Sequence, residues 1–213
     1  MARPSRNLDR KLVSAARQML PETGLSGLCV REVSRRAGVN PGMFHYLFKS
    51  KEAFRRRVLL EIYEDFLGSF REAAEGPGGP RVRLRRVLVA FARFARDSRV
   101  QYSLMVRELL NAQPDMFAFA QANFPRHIGV LMALMEECRR AKVVRSLPGP
   151  ALCAFAMGTM ALPNVAVTAM ERNGLKRVLG RPFKDFAAEL LSDEMIEARA
   201  DMVLAGLAPV RRP

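Results

Sequence analysis

Two short apolar-patterned segments hinged on one glycine, the stretch Val30 to Lys51 (VREVSRRAGVNPGMFHYLFKSK), constrain this chain more than any other part of its sequence. Val33, Ala37, Val39, Phe44 and Leu47 are spaced so that two helices can bury a small core between them. Gly38 stands at the corner, where glycine takes a left-handed conformation without steric cost. Ala37 lets the two backbones approach, and a short turn containing glycine is what a helix-turn-helix requires. The remaining side chains, Arg31, Arg35, Arg36, His45, Tyr46, Lys49 and Lys51, are basic or aromatic, and Glu32 is the single acid among them. Such a surface suits nucleic acid.

The charge balance points the same way. Residues 1–60 hold thirteen Lys and Arg against four Asp and Glu, so +9 of the formal +14 lies around the helix-turn-helix. A generally Arg-rich composition with solvated basic faces is the plain alternative for the remaining +5. A hydrophobic content of 49% excludes a disordered chain. Cys29, Cys138 and Cys153 are odd in number, far apart and in no C-x-x-C arrangement, which predicts a reducing compartment and no structural disulfide. His45 and His127 are the only histidines, so neither a metal site nor a cofactor is expected. The chain has no Gly-rich phosphate loop and no nucleophile constellation, which argues against an enzyme. MARPSRNLDRKL is followed by no uncharged apolar run of signal-peptide length, so a cytoplasmic protein is expected.

Before the central stretch, Ser5 or Asn7 can cap a first helix whose Leu8, Leu12, Ala15, Ala16 and Met19 share a face, ending near Pro21 to Gly24. After it, Ser50 can cap a long helix from Lys51 to about residue 75, with Phe54, Val58, Ile62, Phe66 and Phe70 at steps of four. At 1.5 Å per residue that helix runs on the order of 35 Å, enough to join a headpiece rigidly to a second domain. GPGGP at 76–80 is the clearest break. The predicted organisation is therefore an N-terminal helix-turn-helix domain at 1–50, a linking helix to about 75, and an all-helical domain at 76–213.

Within the second domain, Leu84, Leu88, Phe91 and Ala95 form one stripe and Tyr102, Met105, Val106 and Leu109 another. Pro125 should bend or restart the segment opened by Pro114. Pro150 to Met170 holds 21 residues without a charge, long enough to span a membrane, but Pro163, Asn164, two threonines and many alanines favour a helix buried on nearly all sides. Residues 171–182 read as a loop. Phe183 and Phe186 mark a short helical piece, and Ser192 can cap a last helix with Ile196, Met202 or Val203, and Leu207 on its apolar face. No strand pattern of useful length appears, and the fold class is all-α.

Residues 6–60 resemble the DNA-binding headpiece of the TetR family of bacterial transcriptional regulators. The resemblance rests on Val33-Ser34, Ala37-Gly38-Val39, Gly42, Phe44, Phe48, Ser50-Lys51-Glu52 and Phe54, followed by a capped long helix and an all-helical remainder. The chain departs from the family at His45, where Tyr is usual, at Leu47, which replaces a common His, and at Leu28-Cys29-Val30, where a hydroxyl is usual. The phosphate contact of that hydroxyl is therefore not carried over.

In a helix-turn-helix the second helix enters the major groove and offers its first residues to base edges. Here those are Asn40, Pro41, Gly42, Met43, His45 and Tyr46. Lys51, Tyr46 and the start of the long helix suit phosphates. Arg31 is similar in position to a residue that reaches a base in the family. Arg35 and Arg36 read as solvated charges. The resemblance implies a homodimer joined by its last long helices, around 150–170 and 192–207, on a near-palindromic operator, most simply as a repressor released by a small molecule that shifts the spacing of two headpieces. A long uncharged helix favours pairing independently. Twelve methionines and thirteen phenylalanines give an adaptable interior that can admit an apolar or amphipathic effector. Met105, Phe117, His127, Met132, Met157 and Asn164 are the candidate ligand contacts. Two other readings stay open: a redox-sensing regulator acting through its cysteines, and a basic protein that coats DNA without regard to sequence.

Overall fold

Local sequence signals set the ends of most elements. A computed structural model describes residues 6–25, 27–112 and 114–209, and among these finds ten helices and one minimal ribbon. The chain divides into two compact units. The first takes the described residues up to Asp65 together with Leu104–Ala120, and the second takes Phe66–Ser103 and the residues from Gln121 onward. The division falls inside the helix expected to link two domains, and residues 104–120 cluster with the first unit.

In the first unit, α1 (Arg6–Thr23) packs on α2 (Val30–Ala37), and α2 on α3 (Pro41–Phe48), followed by α4 (Lys51–Glu75). Ser5, one of the two expected caps of α1, lies outside the described residues, and Asn7 falls inside the helix. Leu12, Val13, Ala16, Met19 and Leu20 of α1 are buried, as are Leu28, Val33, Phe44, Phe54 and Val58. Three rings form the centre, with Phe44–Phe48, Phe44–Phe54 and Phe48–Phe54 centroids 5.4, 4.9 and 4.8 Å apart. Ser50 caps α4 as its sequence predicts, its hydroxyl accepting the Ala53 N–H at 3.1 Å.

The later elements are α5 (Pro80–Asp97), α6 (Arg99–Leu110), α7 (Pro114–Arg140), α8 (Gly149–Arg172), β1 (Arg177–Val178), β2 (Arg181–Pro182), α9 (Phe183–Leu190) and α10 (Asp193–Leu207). α5, α8 and α10 pack against one another in the second unit. Their common core holds Leu84, Leu88, Phe91, Met160, Val167, Ile196, Val203 and Leu207. Gly206 permits the close approach of α10 to α8, since a Cβ there would lie 3.1 Å from the Phe155 ring. Ser192 caps α10 by accepting the Met195 N–H at 3.1 Å.

Several expectations need correction. Val203, not Met202, belongs to the buried face of α10, and Met202 is 59% exposed. α7 runs unbroken through Pro125, which is exposed. On α6 only Leu104 is buried, while Tyr102, Met105, Val106 and Leu109 are half-buried. The loop at 171–182 carries the two-residue antiparallel pairs Arg177↔Pro182 and Val178↔Arg181. The largest difference concerns α8. It is long and apolar enough to cross a membrane, yet it buries one face, Leu152, Cys153, Ala156, Met160, Asn164, Val167 and Thr168, against α5 and α10. Its opposite face is largely open, with Phe155 47% and Leu162 66% exposed.

Candidate nucleic-acid interface

The turn between α2 and α3 is built by backbone geometry. Gly38 adopts φ 64° and ψ 33°, and a Cβ there would meet nothing within 4 Å. The glycine is therefore required by its dihedral angles, since space is available. Gly38 N–H donates to the Arg35 carbonyl at 3.2 Å and Val39 N–H to the Ser34 carbonyl at 2.9 Å, which satisfies carbonyls left open at the end of α2. Val39 is buried just beyond the turn.

Asn40 then starts α3. Its Oδ1 accepts the Gly42 N–H at 2.8 Å, and Pro41 follows at a position where a missing N–H costs nothing. This cap occupies the Asn40 carbonyl oxygen and leaves the side-chain amide as its donor. Phe44 and Phe48 turn inward, four residues apart. Gly42, His45 and Tyr46 fall at i, i+3 and i+4 on the opposite face, and all three are exposed, Tyr46 at 67%. Met43 is half-buried, and the His45 ring lies edge-on to Phe44 at 5.7 Å while staying exposed.

The charges around α3 sort into two groups. Arg35 makes two hydrogen bonds to Glu32 at 2.8 and 2.5 Å, and Arg36 reaches Glu32 at 3.5 Å and Glu22 at 3.4 Å. These two arginines are occupied, as solvated charges of one helix surface. Arg31 and Lys49, both exposed, and Lys51, half-buried at the start of α4, have no ion pair among the described residues. Lys49 closes α3 with φ 56°, an unusual angle for a side-chain-bearing residue, and its exposed ammonium adds to the same basic region. The arrangement brings the eight sequence-predicted residues Arg31, Asn40, Pro41, Gly42, Met43, His45, Tyr46 and Lys51 into one compact unit.

Cys29 occupies the N-cap position of α2, where the sequence suggested a lost hydroxyl. No cap hydrogen bond of normal geometry forms, yet the thiol is held below its usual range, chiefly by the Glu32 N–H and then the Arg31 N–H, with Lys51 adding to the effect. Cys29 is exposed. Cys138 and Cys153 are buried, and burial raises both thiols, Cys138 to about 11.

The six candidate ligand contacts divide between the two units. Met105 and Phe117 belong to the first unit, with Phe117 53% exposed. His127, Met132, Met157 and Asn164 belong to the second. His127 sits among Phe66, Phe70 and Phe124, with centroids at 5.3, 6.1 and 5.4 Å, and desolvation lowers its imidazole to about 4. Met132 lines a surface cavity of about 440 Å³ and its sulfur meets the Cys153 thiol at 3.4 Å. Asn164 is fully buried, donates to the Met160 carbonyl at 3.4 Å, and leaves Oδ1 without a partner.

Taken by its geometry, the chain is a helix-turn-helix protein with a second helical unit. Its headpiece is similar to that of the TetR family. Residues 12–58 match the family described as "Bacterial regulatory proteins, tetR family". The chain is 28% identical over 138 residues to the HTH-type transcriptional regulator BetI of Rhizobium meliloti, a stretch covering 65% of this chain and 55% of that protein. It is 31% identical over 75 residues to UidR of Escherichia coli, covering 35% of this chain and 37% of UidR. The matched stretches thus span about half or less of these relatives. The fold extends further: the Bacillus subtilis transcriptional regulator FadR, solved in complex with stearoyl-CoA, superposes with a TM-score of 0.69 at 14% identity, over 93% of this chain and 98% of that one.

Proposed function

We propose that the chain is a ligand-responsive transcriptional regulator, a repressor that binds a near-palindromic operator as a homodimer. The observation that carries this reading is the solvent face of α3, where Gly42, His45 and Tyr46 share one side beside the unpaired charges of Arg31 and Lys51. His45 and Tyr46 offer hydrogen-bonding groups to base edges, and Gly42 removes the side chain that would hold the helix away. Arg31 and Tyr46 read bases, while Lys51 holds a phosphate. The names of BetI and UidR, both HTH-type transcriptional regulators, support regulation as the role.

The bare face of α8 supports the homodimer. Ala151, Ala154, Phe155, Gly158 and Leu162 form one exposed stripe, with Met202 exposed on the adjoining α10. Small residues beside large apolar ones allow two copies to approach closely and bury Phe155 and Leu162. The effector is apolar or amphipathic. The neutral His127 imidazole among three phenylalanines supports that class, and FadR was solved with an acyl-CoA.

Selection from a random duplex library tests this function. The full chain is expected to enrich two inverted half-sites separated by a fixed spacing. A library that remains unenriched after repeated rounds contradicts operator recognition and leaves the sequence-independent alternative.

A further inference from the structure

A groove of about 680 Å³ in the second unit has no part in the function proposed above. That volume lies within the range of small-molecule sites. Leu175, Phe183, Ala187 and Leu191 give it apolar walls, and Lys184 stands at its edge. The walls are fixed by the ribbon and by ion pairs. Phe183 N–H donates to the Lys176 carbonyl at 2.9 Å, which closes the base of the hairpin and sets Leu175 near Phe183. Arg181 binds Glu189 at 2.6 Å, tying the ribbon to α9. Arg99 binds Glu171 at 2.9 Å, tying the start of α6 to the end of α8. Arg96 binds Asp193 at 2.9 Å and Asp97 at 2.8 Å, and donates to the Leu191 carbonyl at 3.3 Å. The groove is therefore formed in advance of any occupant, which lowers the entropic cost of binding.

Those pairs also decide its charge. Arg96 and Arg99 line the groove but are answered by carboxylates, and Glu171 is answered by Arg99. Lys184 is exposed and has neither a hydrogen bond nor an ion pair among the described residues; its neighbour Asp185 is exposed and holds no ion pair either. An apolar groove with one uncompensated ammonium favours a molecule with an apolar body and a single negative charge. An uncharged molecule would leave Lys184 unanswered, and a dianion would bring a second charge toward Glu171 and Asp193.

We propose that this groove binds a small amphipathic monoanion, its apolar body on Leu175, Phe183, Ala187 and Leu191 and its carboxylate on Lys184. The site is independent of DNA reading. Decanoate and its uncharged counterpart decan-1-ol, titrated into the full chain by calorimetry and by NMR of the Leu175, Ala187 and Ala188 methyl groups, test it directly. Decanoate is expected to bind saturably with shifts at those methyls. Lys184→Ala should weaken decanoate by about tenfold or more, the size of one charge-assisted hydrogen bond, and leave decan-1-ol within about twofold. Lys184→Arg should retain most of the affinity. Ala188→Trp, at an exposed position in the groove, should weaken both ligands by about tenfold with an unchanged melting temperature. The proposal is overturned by the absence of saturable binding below the micelle concentration. It is equally overturned if Lys184→Ala binds decanoate as the wild type does, or if Ala188→Trp binds both ligands undiminished.

Discussion

Gly38, Cys29 and Lys51 each make a different claim about single side chains in the headpiece. At Gly38 the left-handed angle is needed and the surrounding space is open. Gly38→Ala should therefore cost about 1–2 kcal/mol of stability through φ alone, Gly38→Asn less and Gly38→Val more. Urea unfolding of the three variants checks this order, and an equal loss for all three would mean that contacts, not dihedrals, select glycine. Cys29 is the exposed thiol with lowered acidity, whereas Cys138 and Cys153 are buried and raised. Brief iodoacetamide treatment followed by mass spectrometry should place the first adduct on Cys29, and any redox response would have to act there. Comparable labelling of Cys138 or Cys153 would contradict their burial. Under the proposed reading, Lys51→Ala weakens binding to every duplex and lowers the salt slope by about 0.9, the share of one phosphate contact. A collapse of sequence preference instead would reassign Lys51 to a base.

Helices α5 and α10 show what sequence leaves hidden. Arg85 binds Asp201 at 2.7 and 2.9 Å across 116 residues, and Arg93 binds Asp193 at 3.0 Å and Glu197 at 3.1 Å. Helical periodicity marks which face each helix buries, yet it does not say which helix another will lie beside. Caps and corners were legible because they are local: Gly38, Asn40, Ser50 and Ser192 act within four residues. Met202 against Val203 was not, since both fit a 3.6-residue period and only the angle of α10 to α5 and α8 separates them. The open side of α8 is not legible in sequence, because an uncharged composition does not distinguish a helix surrounded by its own chain from one with a side left open. The candidate DNA residues are compact in sequence and fall in one unit, whereas the ligand candidates, chosen by residue type over sixty positions, belong partly to each unit.

The ion pairs between α5 and α10 and the His127 imidazole both govern behaviour in acid. Arg85 holds the Asp201 carboxyl below its ordinary range, and Arg93 and then Arg96 do the same for Asp193. Carboxyls depressed in the folded state stabilise it above their unfolded values, and that contribution is lost as pH falls through the depressed folded values. His127 has the opposite charge type with the same outcome. Its folded value, about 4, lies below the unfolded 6.5, so the unfolded chain takes up the extra proton and stability falls between pH 6.5 and about 4. The His127 contribution is at most about 3 kcal/mol. His127→Phe should flatten the stability curve in that upper window, while Asp201→Asn should flatten it at lower pH. Chemical unfolding across pH 3–8 checks both, and an unchanged slope in His127→Phe would mean the imidazole titrates normally.

For the whole molecule, the proposed homodimer would pair through the bare stripe on α8. Leu162→Glu, together with Phe155→Glu, places charge on side chains exposed in the single chain, so helix content should persist while light scattering reports a monomer. A dimer that survives both changes would move the interface elsewhere. The central claim is that α3 reads sequence, and it is tested most directly by comparing, at one salt concentration, the affinity of the chain for a selected operator with that for a scrambled duplex of equal length. A preference of roughly 10³-fold or more is expected, falling when Tyr46 and Arg31 are replaced by Ala. Equal affinity for the two duplexes would contradict it and leave only a basic surface that holds any DNA.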